Sequence, residues 1–207
     1  MSIETWLAFV VAASIILIIP GPTIILVLGH SLAHGRRATL PLVAGVALGD
    51  FTALTLSLIG LGAVMAASAA LFTLFKWAGA LYLIHMGISM WRGKASSAEI
   101  VADDVERPAR SLFGNAFVVT ALNPKSIIFF VAFLPQFVHS GSDGISQLLI
   151  LGATFLVLAT VNATLYAVLA SRVRELVRTP RAKRLFNRVG GSALIGAGFL
   201  TASVQRV

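Results

Sequence analysis

The sequence contains no cysteine, which excludes disulfide frameworks, thiol relays, thiolate nucleophiles and cysteine metal sites together. Charge is nearly as scarce. Only 12% of the 207 residues are Asp, Glu, Lys or Arg, against 57% hydrophobic residues and a mean hydropathy of +0.92. A water-soluble domain carries about a quarter charged residues. The 16 basic and 8 acidic residues are also bunched. Between Thr39 and Trp91 only Asp50 and Lys76 are charged, and between Ser111 and Ser171 only Lys125 and Asp143. Such windows are membrane spans rather than soluble cores. Soluble stretches do not exceed about 20 residues, which rules out a soluble enzyme and a second aqueous domain. Despite a sequence pI of 11.1, no nucleic-acid partner is expected.

What is present is six apolar runs of the roughly 20 residues that cross about 30 Å of hydrocarbon. They lie at about 5–29, 39–66, 70–91, 111–138, 145–171 and 189–205. The least sharp boundary falls between the second and third, where Met65 to Phe75 holds neither charge nor proline. The first run lacks a basic leader and is too long for a signal peptide's apolar region, so it is expected to be retained. Arg36 and Arg37 follow span 1, four basic residues from Arg92 to Arg110 follow span 3, and seven from Arg172 to Arg188 follow span 5. Thirteen of sixteen basic residues therefore lie on one side, against Lys76 and Arg206 on the other and Lys125 within span 4. By the positive-inside rule both termini are expected outside the cytoplasm. The net charge of +8 is then a topology signal, with contact to anionic headgroups a further reading for the Arg172 to Arg188 loop.

The chain also repeats itself faintly. Trp77 to Ile84 lies over Arg188 to Ile195 without a gap, and Gly87 over Gly198. Pro20-Gly21-Pro22-Thr23-Ile24-Ile25 resembles Asn123-Pro124-Lys125-Ser126-Ile127-Ile128 in placing a helix breaker late in an apolar run. Three spans per copy force the second copy to enter from the opposite face, the inverted-repeat arrangement of many secondary transporters. The expected fold is an all-α membrane protein, one transmembrane domain over residues 1–207. Its two inverted three-helix repeats cover about 1–91 and 111–207, joined by a cytoplasmic linker at about 92–110, with helices 1 and 4 broken.

Several residues are ones an ordinary membrane helix would not keep. Two prolines in Pro20-Gly21-Pro22 remove backbone donors and free carbonyls that lipid cannot satisfy, so the break must face protein or water. Asn123-Pro124-Lys125 makes the same kind of break, and two in corresponding places suggest one shared site near the midplane, with proline kinks as the plainer reading. Asp50 lies near mid-depth in span 2, where an ionised carboxylate costs roughly 2.5 to 3.5 kcal/mol; it is a candidate for proton exchange, or else a structural hydrogen-bonding group. Gly45 and Gly49 before it have the spacing that admits a second helix. Lys125 is the other deep charge, and opposite charges in one bilayer interior are cheapest in a common cavity. There Lys125 or a half-helix amino end would take a substrate carboxylate, and Asp50 or free carbonyls its amine; an anchoring Lys125 that snorkels to an interface is the alternative. Asn162 holds about the place in span 5 that Asp50 holds in span 2, and Tyr82 is either a cavity residue or packing. The four histidines show no metal-ligand spacing, and no metal site is expected.

With these motifs, the length, the six runs, and Lys76-Trp77-Ala78-Gly79-Ala80-xx-Leu83 in span 3, the chain resembles the lysine exporter superfamily over nearly its whole length. The specific likeness is to the branch of homoserine, threonine and leucine efflux proteins. That resemblance implies a bacterial inner-membrane carrier that expels amino acids or their analogues in exchange for protons. It carries over Pro20, Gly21, Pro22, Asp50, Asn123, Pro124 and Lys125 as motif positions. Asn162 stands where many relatives are expected to hold an acid, which leaves Asp50 as the sole carboxyl candidate.

The reading that uses all these residues is a proton-coupled amino-acid exporter with alternating access. A cation or metal-ion exporter of the same superfamily would want several oxygen ligands where the spans hold one carboxylate. An intramembrane enzyme would want a Ser/His pair, two aspartates or a metal cluster, and a non-transporting scaffold leaves the breakers and buried charges unused. No cofactor is expected. The expected partners are the amino-acid substrate, protons, membrane lipids and, through the glycine-rich span 6, a second copy of the chain.

Overall fold

The computed structural model describes residues 1–67, 69–92, 108–138, 143–170 and 180–203. All the regular structure among them is helical. Helix α1 covers Ile3–Ile18, capped by Ser2, whose side chain accepts from the Thr5 amide at 3.2 Å. Helix α2 covers Pro22–His34 and ends at Gly35, whose φ of 62° suits a residue without a Cβ. A 3-10 turn at Gly35–Ala38 leads into α3, Thr39–Ala67, and α4 is Ala69–Trp91. Helix α5 spans Ala109–Ala121 and α6 Pro124–Ile128, followed by a π turn at Phe129–Phe133 and a 3-10 turn at Leu134–Phe137. Helix α7 is Gly144–Val168 and α8 is Pro180–Ser203.

By length and composition, the helical stretches Pro22–Gly60, Ala109–Phe137 and Gly144–Val168 can each cross a membrane, and Ile3–Ile18 is a shorter apolar helix. Large apolar side chains such as Phe51, Ile59, Val157 and Phe199 point outward, as a lipid-facing surface requires. The protein is a multi-pass, all-α membrane protein.

Span 6 needs correction. Its helix begins at Pro180, nine residues before the apolar run, so part of the basic segment expected as a loop is the first turns of α8. Hydropathy marks only where a helix is apolar. Pro180 suits a first helical position, and the alanine, lysine, arginine and leucine after it favour helix. The weak boundary between spans 2 and 3 falls at residue 68, outside the described residues, as do the greater part of the linker, His139 and the segment 171–179.

Two glycine seams hold the helices together. A Cβ on Gly45 would sit 2.5 Å from the Phe113 carbonyl oxygen, and one on Gly49 2.7 Å from Thr120 Cβ, so both glycines press α3 onto α5. Gly87 lies against Gly191 and Ile195, and Gly198 against Ala80 and Ile84, which packs α4 antiparallel to α8. Span 6, expected to offer a glycine-rich face to a second copy, thus uses Gly191 and Gly198 for packing within the chain. One core gathers Phe9, Phe129, Phe130, Phe133 and Phe155 with aliphatic neighbours, and a second, built from small residues and leucines, joins α2, α3, α5 and α7. Phe129 lies tilted against Phe155 at 5.1 Å and Phe130 meets Phe155 edge-on at 4.7 Å.

The seams predict opposite outcomes for one substitution. Gly49→Ala forces α3 and α5 apart and should destabilise the protein by about 1–3 kcal/mol. Gly60→Ala, in open space on the same helix, should be neutral or stabilise by about 0.5–1 kcal/mol. Thermal unfolding of both variants in detergent checks the contrast.

Candidate functional site

The two breaks are built alike. After Ile18 the chain turns extended at Ile19, and α2 restarts with Gly21 as N-cap and Pro22 at its first position. After Ala121, Asn123 is the N-cap and Pro124 the first residue of α6. A proline at this position forgoes a donor that a helix start leaves unused. The caps set Gly21 opposite Asn123 and Pro22 opposite Pro124, one residue away from the register that pairs Pro20 with Asn123. Asn123 serves both sides: its Oδ1 accepts from the Lys125 amide at 3.1 Å, and its Nδ2 donates to Thr23 Oγ1 at 3.1 Å. Thr120 Oγ1 also donates to Thr23 Oγ1, at 3.2 Å, tying the two breaks together.

The end of α1 leaves carbonyls that have no helical partner. Three side chains take them. Asn162 Nδ2 donates to Leu17 O at 3.0 Å, the Tyr166 hydroxyl to Ile18 O at 2.6 Å, and Lys125 Nζ to Ile19 O at 2.6 Å. A helix C-terminus carries partial negative charge, so an ammonium is the favoured group there. The expectation that these carbonyls stand free for a ligand is therefore corrected: in this conformation the protein's own donors fill them.

Beside this junction is a cavity of about 40 Å³, lined by Leu17, Gly21, Thr23, Asp50, Asn123, Lys125, Ser126 and Asn162 among polar and backbone-break positions, and by Phe129 and Phe155 among apolar ones. Asp50 and Lys125 are both buried, at 4% and 8% exposure, and face this one space. Lys125 does not reach an interface. The charge of Lys125 and the side chain of Ser126 act on the Asp50 carboxylate, while its Oδ1 has no hydrogen-bond partner.

The remaining expected residues fall around this centre. Pro20, Pro22 and Pro124 shape the breaks without lining the cavity, and Gly45 and Gly49 serve the α3–α5 seam. Tyr82 is half-buried on α4 and does not line the cavity, so it packs. Thr23, Thr120, Ser126 and Tyr166 were not singled out from the sequence. Thr23 and Ser126 stand within three residues of the breakers, which is a usable signal. Thr120 and Tyr166 carry none, because hydroxyls are common in membrane helices and their partners are distant in sequence. The π turn was likewise unforeseen: the Leu134 amide bonds back to Phe129 O, and Pro135 next to it cannot continue an ordinary ladder. Among the described residues no group of three or more His, Asp or Glu is placed to hold a metal ion.

Asn123→Ala removes the cap of α6 and the bridge to Thr23 at once. The variant should lose about 0.5–2 kcal/mol, while Asn123→Ser, which keeps an accepting cap oxygen without burying a charge, should lose less by the same thermal assay.

Comparison with known proteins follows the same outline. The family model described as LysE type translocator matches residues 14–204. The homoserine/homoserine lactone efflux protein of Salmonella typhimurium is 34% identical over 205 residues, covering 99% of this chain and 99% of the relative. A Vibrio cholerae protein described as an uncharacterized membrane protein is 34% identical over 206 residues, covering 99% and 100%. The leucine efflux protein of Klebsiella pneumoniae is 27% identical over 203 residues, covering 97% and 95%. No solved structure matches the chain. A family match that runs from within α1 to the end of α8 takes in both breaks and the cavity between them, and the chain belongs to the LysE type translocator family.

Proposed function

We propose that this protein exports amino acids or their analogues from the cytoplasm across the bacterial inner membrane by proton antiport, with access alternating between the two faces. The observation that carries this reading is the meeting of two helix breaks at one buried cavity holding one acid and one amine, Asp50 and Lys125. Interrupted helices at mid-depth are where secondary carriers bind cargo and coupling ion. Membership of a translocator family and relatives named for homoserine and leucine efflux supply the substrate class. Homoserine and its lactone share an α-amine, whereas the lactone has its carboxyl closed into an ester. A site serving both reads the amine first, and we carry that preference to this chain.

The inverted-repeat reading belongs to the same proposal. Matching caps at Gly21 and Asn123 support it, as does the packing. Helix α3 packs on α5, α1 and α2 pack on α7, and α3–α7 and α4–α8 pair across what would be the pseudo-two-fold axis. One transmembrane domain would then comprise repeats at about 1–91 and 111–207, with the charged connector and both other basic clusters in the cytoplasm and both termini outside. Proton exchange at the Asp50–Lys125 site, lipid contact along the outer faces and any self-association complete the reading.

Two experiments test it. In proteoliposomes, labelled homoserine and leucine should move against their gradients when the compartment opposite the cytoplasmic face is acid, and Asp50→Asn should reduce that flux to background with insertion intact. Flux of every amino acid in a panel that ignored the pH gradient would end the antiport reading. The lack of cysteine makes topology direct: in whole cells Ser2→Cys should react with a membrane-impermeant maleimide and Arg37→Cys should not. The reverse pattern would invert the orientation.

A further inference from the structure

We propose that the Lys125 ammonium sits in the seat of the substrate's α-ammonium, so that the side chain and the substrate occupy the site by turns and Lys125 is the group that carries the exchanged proton. This rests on the export reading above and specifies how its site works.

Five observations lead here. Lys125 Nζ donates to Ile19 O at 2.6 Å, at the negative end of α1, and is buried beside Asp50. An alkylammonium on a carbonyl beside a carboxylate is the contact a substrate amine would make. The neighbouring carbonyls of Leu17 and Ile18 are held by Asn162 and Tyr166, which have no charge to give up, so Ile19 is the position held by a cation that can leave. Asp50 lines the same cavity, and its Oδ1, although buried, has no hydrogen-bond partner. The cavity, about 40 Å³, has room for about three or four waters at about 10–15 Å³ each but none for an amino acid beside the lysine. Gly21 leaves space along the lysine stem, since a Cβ there would touch Lys125 Cδ at 3.4 Å.

Charge decides the sequence of events. Asp50 and Lys125 together are neutral, and although an amino acid brings its own carboxylate, seating its ammonium at Ile19 O and Asp50 as well would set two cations against one carboxylate in one buried seat, which costs several kcal/mol. One cation must go. Lys125 cannot diffuse away, but it can lose a proton: the Nζ–H bond breaks, the proton passes to cytoplasmic water, the electron pair stays on nitrogen, and the neutral amine yields Ile19 O and Asp50 to the substrate. On the outer face the substrate leaves, a proton from that side adds to Nζ, and the lysine returns to its seat. One proton enters for each substrate expelled, and Asp50 remains ionised with one cation beside it throughout. Among the described side chains, other titratable groups on the helices about α6 include Tyr82 and His85 on α4, Tyr166 on α7 and His30 and His34 on α2, none of which lines the cavity. This assignment reverses the expectation that Lys125 holds the substrate carboxylate.

Binding and transport by the full-length protein distinguish the two. For wild type, affinity for labelled homoserine and leucine should fall as pH is lowered, approaching about tenfold per pH unit for competition with one proton. N-acetyl-leucine, which keeps the carboxylate but lacks the ammonium, should not compete. Lys125→Met should bind homoserine no more weakly than wild type at neutral pH, with affinity now independent of pH. It should retain homoserine/homoserine counterflow and lose accumulation driven by a pH gradient. Lys125→Gln, which still offers Ile19 O a donor, should behave the same and serves if the methionine variant is poorly folded. Loss of homoserine binding in both variants with rescue by Lys125→Arg would overturn the proposal, as would gradient-driven accumulation surviving in either. Wild type that carries no amino acid of a broad panel would instead sink the export reading itself.

Discussion

The structure depends on what happens where α1 stops. A helix that ends inside an apolar layer leaves carbonyls that lipid cannot hydrogen-bond, each costing several kcal/mol if abandoned. Here the chain sends a donor to each of three successive carbonyls: Asn162 and Tyr166 from α7, and Lys125 from α6. The break in α1 is thereby made tolerable by two other helices, and those helices are fixed in place by the break. The site is a consequence of this exchange. Lys125 must reach the carbonyl, Asn123 must cap α6 so that Lys125 starts its first turn there, and Asp50 must stand near enough to offset the ammonium.

Much of this was legible because breakers and buried charges are conspicuous against an apolar background. Pro20-Gly21-Pro22 and Asn123-Pro124-Lys125 announced two interruptions, and the cost of isolated charge announced that Asp50 and Lys125 would share a space. The spacing of Gly45 and Gly49 announced a close helix neighbour, which is α5. What the residues did not announce was the direction of their hydrogen bonds. A lysine beside an aspartate reads as half of an ion pair, and only the geometry shows its ammonium on the Ile19 carbonyl. Tyr166 and Thr120 were invisible for the same reason: their partners lie 148 and 97 residues away. The start of α8 was missed because a helix may run on in water where hydropathy falls.

The two glycine seams and the site are held by contacts of different kinds. Backbones in near contact, α3 with α5 and α4 with α8, interdigitate without long side chains and leave little freedom to slide. Around the cavity the contacts are of another kind: a single ammonium, an amide, two hydroxyls and a pair of phenylalanine rings, Phe129 and Phe155, at 5.1 Å. Such contacts can be exchanged for others of equal strength, which is what a site with two occupants requires. The π turn adds to this, since it places a loosened ladder directly after the helix that carries Lys125 and Ser126.

Size completes the argument. Ligand pockets run to about 300 Å³ and more, whereas this cavity is about 40 Å³, so the conformation in hand is one closed on its own side chains. A protein that collapses its site in this way must satisfy the polar groups within it or lose stability, and here the carbonyls of Leu17, Ile18 and Ile19 each have a side-chain donor while Oδ1 of Asp50 has no partner. The residue that carries this oxygen lines the remaining space. A closed site whose break carbonyls are satisfied while its carboxylate keeps an open acceptor is stable enough to fold and still better off with a cation of the right shape beside it, and that difference is the free energy available to a ligand for opening it.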